Sequence, residues 1–390
     1  MTVGASNCAE AKASLIEWHE GDVARTARWH SASGGPAPRR VVVADDTLTA
    51  DAAYRLACEG TALLWRGDFQ NARQLLQAMG RRLDRKPRSG AKPVLDYPEA
   101  FHRKRMAQAQ RARVLGMLLI PIDAGHVIPL RRAPDVHLAC QDVYGQIDGP
   151  YVTSLRELLG LIGAYEWRRK GVAIPALGGL RIHPHYGVFS PVRGEYVALV
   201  AQAPLPVRLA DHSLAFDIGT GTGVLAAVLA RRGVARVVAI DQDERALACA
   251  RENIERLELE VSVELLQTDL FPPGKAPLVV CNPPWVPGKP SSALEYAVYD
   301  PDSRMLRGFL NGLAAHLEPG GEGWLILSDL AEHLKLRSRE TLLAWIAAAG
   351  LKVLGRHDVK PTHAKASDPD DPLHAARAAE LTSLWRLGAA

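Results

Sequence analysis

Two hydrophobic periodicities run along this 390-residue chain. Over residues 181–390, short apolar runs alternate with stretches in which apolar side chains recur every three or four positions. The runs at 214–217, 236–240, 262–266, 277–281 and 323–328 predict buried strands. The stretches Val224–Arg232, Glu244–Leu257, Met305–Leu317 and Leu334–Ala349 predict helices, and Glu380–Leu387 predicts a final strand. Such alternation predicts a parallel sheet covered by helices on both faces.

Residues 1–180 carry a less regular pattern. The first forty predict one or two short helices and then a loop at the glycine- and proline-rich stretch Ser33–Pro38. Val41–Val43 and Thr61–Trp65 predict strands, and Ala50–Cys58 and Phe69–Leu83 predict helices. Glu99–Leu115 predicts a basic helix, and Gly116–Ile122 and Val127–Leu130 read as strands. Val152–Lys170 predicts a helix whose cationic end suits the macrodipole. The expected architecture is α/β, with a mixed α/β domain at 1–180 and a doubly wound domain at 181–390.

Composition adds limits. With 47% hydrophobic and 23% charged residues, the chain can bury a real core. It has no apolar run near the roughly 20 residues a membrane helix needs. The first twenty residues lack the pattern of a secretory leader. A cytoplasmic protein is therefore expected. The five cysteines are scattered without a CxxC pair, which argues against a disulfide framework. The histidines form no HExxH or other metal set, so no metal is expected.

Net charge is +8 over residues 1–200 and −4 over 201–390. The excess concentrates between Arg73 and Arg113, a stretch that includes Lys86, Arg88, Lys92, Arg103, Lys104 and Arg105. Such a stripe can neutralise phosphates or can be a solvated helix face. Arg103 and Arg105 are the candidate phosphate contacts.

The chemistry-bearing motifs follow the strands of the second half. The first strand runs into Asp217-Ile218-Gly219-Thr220-Gly221-Thr222-Gly223, where glycines let the backbone turn sharply and approach a ligand. The spacing is GxGxG, without the GxGxxG register of a dinucleotide site. The second strand ends at Asp241, 22 residues after Gly219, placed to accept from ribose hydroxyls. Asp243 is a ribose candidate or a helix cap. Asp269 follows the third strand and can accept from an adenine amino group, or can be a loop aspartate.

Asn282-Pro283-Pro284-Trp285 closes the fourth strand. Two prolines stiffen this turn. The Asn282 side-chain oxygen and the Pro283 carbonyl can accept from one NH2 group, while Trp285 offers a flat stacking face. That arrangement aims a nitrogen lone pair at an electrophile without a strong general base.

In these motifs, residues 181–390 resemble the class I S-adenosylmethionine (SAM)-dependent methyltransferases. The similarity is to the group that includes release-factor glutamine and ribosomal RNA amino-methyltransferases. The resemblance implies a Rossmann-like fold and SAM as cofactor. It implies SAM contacts at Asp217, Gly219, Gly221, Gly223, Asp241, Asp269 and Asn282. It also implies catalysis by Asn282, Pro283 and Trp285, with Pro284 and Trp285 touching substrate. Gly187–Arg193 is similar to the family's stretch over the cofactor, and Tyr299-Asp300-Pro301 to a later acid–proline turn. The fourth signature residue departs from the Tyr usual in glutamine methyltransferases. Three acceptors stay open: a base amino group in RNA, favoured by the basic stripe; a protein glutamine; and a small molecule with a planar nitrogen. An NAD-dependent oxidoreductase gives Asn282–Trp285 no role. Oligomeric state is not legible.

Overall fold

The computed structural model describes residues 14–85, 96–192, 194–290, 295, 297–361 and 373–390. Lys86, Arg88 and Lys92 of the basic stripe and Arg193 lie outside the described residues. The chain divides into two compact units, Met1–Pro93 with Arg105–Tyr165, and Val94–Lys104 with Glu166–Ala390.

The first unit is a six-stranded mixed sheet with helices. Its strands are β1 (Leu15–Glu20), β2 (Val23–Trp29), β3 (Arg40–Ala44), β4 (Thr61–Trp65), β5 (Leu118–Ile122) and β6 (Tyr151–Ser154). The order is β1-β2-β6-β5-β4-β3. β3, β4 and β5 pair in parallel, and β6 runs antiparallel to β5. The helices predicted at α1 (Ala50–Cys58) and α2 (Phe69–Leu83) form there. Thr49 and Asp68 cap them by accepting from Ala52 N and Gln70 N. The chain reaches β5 through α3 (Tyr97–Leu115); α4 (His137–Tyr144) precedes β6.

Three expectations fail in this unit. The segment expected to be helical before residue 40 is the antiparallel hairpin β1–β2. In β1, Ile16 and Trp18 are buried on one face while their neighbours are exposed, a period of two that the short run hides. Gly21 takes φ +61 in the two-residue turn, a conformation glycine adopts without strain. The helix expected from Val152 begins only at Leu155, as α5 (Leu155–Lys170), because Val152 and Thr153 extend β6. β-branched side chains favour that pleated surface. Val127 makes only an isolated bridge to Asp123, so Val127–Leu130 is not a strand.

The second unit contains the expected doubly wound sheet. After the small pair β7 (Val172–Ala173) and β8 (Arg181–Ile182) come β9 (Leu214–Ile218), β10 (Arg236–Asp241), β11 (Val263–Gln267), β12 (Ala276–Cys281), β13 (Leu317–Ser328), β14 (Leu351–Val359) and β15 (Thr382–Ala389). The seven-stranded order is β11-β10-β9-β12-β13-β15-β14. β9 to β13 pair in parallel, and the order reverses between β9 and β12. The sheet is not parallel throughout, because β15 runs antiparallel to both β13 and β14. β14 was not legible as a strand: nearly all its side chains are exposed or half-exposed, so no apolar run marks it.

Helices α6 (Gly194–Gln202), α7 (Val224–Arg231), α8 (Glu244–Arg256), α9 (Arg304–His316), α10 (Leu330–His333), α11 (Arg339–Ala348) and α12 (His374–Ala379) accompany this sheet. One apolar layer packs α6 and α7 against Ala215, Val237, Ala239, Leu278 and Val280. The other packs α9 and α11 against Phe216, Ile218, Val279 and Cys281. Successive residues of β9 and β12 thus enter opposite layers, as strand geometry requires. The helix expected from Leu334 starts at Arg339, because the Ser338 side chain accepts from Thr341 N and so sets the first turn there.

Candidate active site

β9, β10 and β12 lie side by side and their carboxyl ends converge where the strand order reverses, the place where open α/β sheets bind ligands. Asp217 lies opposite Val280 in register, and Ile218 opposite Cys281. Gly219 and Asn282 therefore leave adjacent strands at the same level.

The glycine loop is held from within. Asp217 is buried, and its carboxylate accepts from the Thr220 hydroxyl at 2.6 Å and from Ala226 N, in the first turn of α7, at 3.1 Å. These bonds tie the loop to the first turn of α7, which makes Asp217 a brace of the cradle. Gly219, Gly221 and Gly223 take φ of +70°, +55° and +79°. A Cβ on Gly219 would meet Met305 Cε at 2.6 Å, and one on Gly223 would meet Ala250 Cβ at 3.3 Å. A Cβ on Gly221 would meet nothing within 4 Å, so this glycine borders open space. Asp241 accepts from Gly221 N at 3.1 Å and from Asp243 N at 3.0 Å, which ties β10 to the loop. Asp243 itself caps α8 by accepting from Arg245 N.

Asn253 on α8 is a support that the motifs did not reveal. It is fully buried, accepts from His183 N at 2.7 Å and donates to Thr222 O at 3.1 Å. Its only signal is a polar residue on the apolar face of α8, four positions after Cys249. His185 bonds Glu252 at 2.8 Å, and Arg168 and Arg256 also bond that carboxylate. His185 is thus part of a structural network. Val188 is buried and the Ser190 hydroxyl accepts from Trp167 Nε1 at 3.0 Å, which anchors the Gly187–Val192 stretch.

Past β12, Trp285 Nε1 donates to Asn282 Oδ1 at 2.8 Å. Trp285 is half-buried and packs against apolar residues of both layers and of a third cluster. That third cluster holds Phe101, Val286, Leu330, Leu334, Leu373 and Ala376. Phe101 also approaches Tyr299, with ring centroids 6.2 Å apart. No motif marks Phe101, which lies within the basic helix α3. Tyr299-Asp300-Pro301 returns to the same place: Val286 bridges Tyr299, and Asp300 N donates to Val286 O at 3.0 Å. The buried Asp300 carboxylate accepts from Met305 N and Leu306 N, each at 3.1 Å, at the start of α9. Asp302 and Ser303 follow at φ +55° and +54°, two consecutive left-handed non-glycine residues of the kind that cluster at functional sites.

The electrostatics favour a cation. Burial pushes the Asp217 carboxyl up to about 6, against its two hydrogen bonds. Burial also raises Asp241 and Asp300. The Cys281 thiol is raised well above its ordinary value by burial, and next by the charges of Asp217, Asp300 and Asp241. The charge of Asp241 also raises Asp217, a repulsion that a bound positive charge would relieve, whereas the charge of Arg337 opposes the rise of Asp300.

Other expected residues lie less centrally. Asp269, beyond the edge strand β11, is exposed and pairs with Arg304 at 3.3 Å. Arg103 is exposed and paired with Glu99 at 2.9 Å; Arg105 reaches Gln108 at 3.5 Å. A groove of about 440 Å³ lined by Arg181, His183 and Arg256 contains none of the motif residues. Among the described residues there is no group of three or more side chains placed to hold a metal. No described helix is long and apolar enough to cross a membrane.

Residues 179–342 match the family model described as the methyltransferase small domain. The chain is 30% identical over 207 residues to a ribosomal protein L11 methyltransferase of Sorangium cellulosum, covering 48% of this chain and 59% of the relative. It is 38% identical over 166 residues to a release factor glutamine methyltransferase of Caulobacter vibrioides, covering 39% and 57%. It is 32% identical over 133 residues to a tRNA1(Val) (adenine(37)-N6)-methyltransferase of Bacteroides thetaiotaomicron, covering 32% and 56%. The chain thus spans little more than half the length of these relatives. The glycine cradle and the Asn282–Trp285 turn both fall within the matched stretch, so residues 179–342 form a methyltransferase domain that is similar to those of the class I SAM-dependent N-methyltransferases.

Proposed function

We propose that this protein transfers a methyl group from SAM to a planar amino or amide nitrogen, and that the acceptor is a base amino group in RNA. The reading rests on one observation above all. The Asn282–Trp285 turn leaves β12 at the level where the glycine cradle leaves the neighbouring β9.

The cradle fits SAM. The open side of Gly221 admits a ligand against the backbone, and Asp241 keeps acceptor capacity for ribose hydroxyls beyond its two backbone bonds. Buried carboxylates suit a ligand bearing both a sulfonium and an ammonium. When bound, SAM supplies an electrophilic methyl group. The protein's part is position and field. Asn282 Oδ1 and the Pro283 carbonyl accept the two hydrogens of the acceptor NH2 and so turn its lone pair toward the cofactor side. Trp285 forms an aromatic wall beside the acceptor, with Pro284 next to it. The proton leaves after transfer, so no strong base is needed beside the nitrogen.

The RNA preference rests on the basic stripe, which includes Arg103 and Arg105, and on the suitability of an aromatic wall for an unstacked base. One relative's name specifies an adenine N6 acceptor and others name a release-factor glutamine. A glutamine acceptor is the second reading, and a small planar amine the third. We propose that residues 1–180 serve substrate recognition.

The test is transfer from radiolabelled SAM to total RNA and total protein of cells lacking the enzyme, each treated with RNase or protease. RNase-sensitive label supports RNA. Label lost only to protease replaces RNA with an amide acceptor, and absence of label in both fractions favours a small molecule. Asn282→Ala is expected to retain SAM affinity by calorimetry and to lose at least about a hundredfold in transfer rate, the order seen when one transition-state donor or acceptor is removed.

A further inference from the structure

We infer that Trp285 is a positioning residue, whose indole N–H determines which edge of the Asn282 carboxamide faces the acceptor. The inference deepens the N-methyltransferase reading and rests on it. A carboxamide is nearly symmetric in shape but opposite in chemistry at its two ends. One end is an oxygen with two lone pairs, and the other is an NH2 with two donors. Only the oxygen end can receive an acceptor NH2. Rotation of the amide by half a turn would present donors to donors and abolish binding of the reacting nitrogen.

An indole N–H is a donor only, so it selects the oxygen. Trp285 Nε1 stands 2.8 Å from Asn282 Oδ1. The flipped amide would set NH2 against N–H and leave a part-buried donor unpaired, which disfavours the flipped orientation. The indole cannot easily follow such a flip. It is wedged among apolar side chains of three clusters. Pro283 and Pro284, the two residues between the partners, stiffen the turn. One Oδ1 lone pair is used by Trp285, and the second remains for the acceptor. With the Pro283 carbonyl taking the other hydrogen, the two protein acceptors match the two hydrogens of a primary amine or amide. A phenylalanine in this place has a flat face but no N–H. The tryptophan therefore does something that an aromatic face alone does not.

The experiment compares Trp285→Phe and Asn282→Ala in the full chain, once the acceptor fraction is identified. The readouts are kcat, KM for the acceptor, and SAM affinity. The expected result for Trp285→Phe is a kcat lower by about tenfold, the size of one net hydrogen bond, with KM within about twofold and SAM affinity unchanged. Unchanged kcat with a raised KM would mean that Trp285 only stacks, and would overturn the inference. Retained transfer by Asn282→Ala would overturn the underlying reading, whatever Trp285→Phe does. A second readout needs no turnover. In protein labelled with 15N-tryptophan, the Trp285 indole proton is expected to move upfield in Asn282→Ala as its hydrogen bond is lost. An unmoved resonance refutes the bond and the inference with it.

Discussion

At the scale of single residues, Asp217 links the brace of the glycine loop to the proposed SAM affinity. Its carboxylate braces the glycine loop through Thr220 and Ala226, and burial raises it to about 6. A folded-state value above the ordinary aspartate range means that the native protein holds this proton through mildly acidic pH. The stability contributed by the protonated form is lost as pH rises through about 6. A cationic ligand acts in the opposite direction, because it favours the ionised carboxylate. SAM affinity by calorimetry is therefore expected to weaken about tenfold from pH 7 to pH 5, as a single group near 6 implies. Asp217→Asn should flatten that dependence. A wild-type affinity that is constant across this range would remove Asp217 from the cofactor's field. Gly219 offers a steric counterpart: its φ of +70° and the Met305 Cε near its missing Cβ both oppose a side chain. Gly219→Ala is expected to cost about 1 kcal/mol or more in urea unfolding.

At the scale of elements, α8 supports the glycine loop from behind. Asn253 ties it to the loop, and Glu252, one residue earlier, gathers Arg168, His185 and Arg256. Burial would raise Glu252, but the hydrogen bonds from His185, Arg256 and Arg168 prevail and hold it down to about 2. Burial likewise lowers His185, despite its bond to Glu252. With a depressed folded-state value, the stability Glu252 contributes is present above the ordinary carboxylate range and is lost as pH falls toward 2. Glu252→Gln should lower stability by roughly 1–3 kcal/mol at pH 7, the range for a charge-assisted hydrogen bond. The difference from wild type should shrink steadily below about pH 4. A penalty of constant size over that range would mean that packing, not charge, is what the substitution disturbs.

At the scale of the whole molecule, the basic excess is less free than the composition suggests. Arg82 pairs with Asp51 at 2.6 Å, Arg111 with Asp84 at 2.6 Å and Arg103 with Glu99 at 2.9 Å. Exposed pairs of this kind are weak, and phosphates can compete for their arginines. If RNA is the substrate, replacing Arg103 or Arg105 by Gln should weaken binding across sequences. Each replacement should also reduce the slope of log affinity against log salt by about 0.7–0.9. Salt titration of RNA binding by fluorescence anisotropy measures both effects, and an unchanged slope would remove these arginines from the interface.

The candidate site was legible early because its motifs depend on local order. Asp217, the three glycines, Asp241 and Asn282–Trp285 each follow an apolar run, and a parallel sheet brings the ends of such runs together whatever the intervening loops do. Apolar periodicity also marked α1, α2 and β4 within their observed limits. It failed where burial was one-sided or brief: the β1–β2 hairpin was mistaken for helix, and β14 left no apolar run. Tertiary structure alone decided what no spacing encodes. It set β15 antiparallel, brought Phe101 against Val286, placed Asn253 under Thr222, and closed the indole of Trp285 onto Asn282. The physical reason is range. Strand ends and glycine turns are dictated by neighbours in the chain. Buried polar bonds and aromatic contacts depend on groups brought together only when the layers pack.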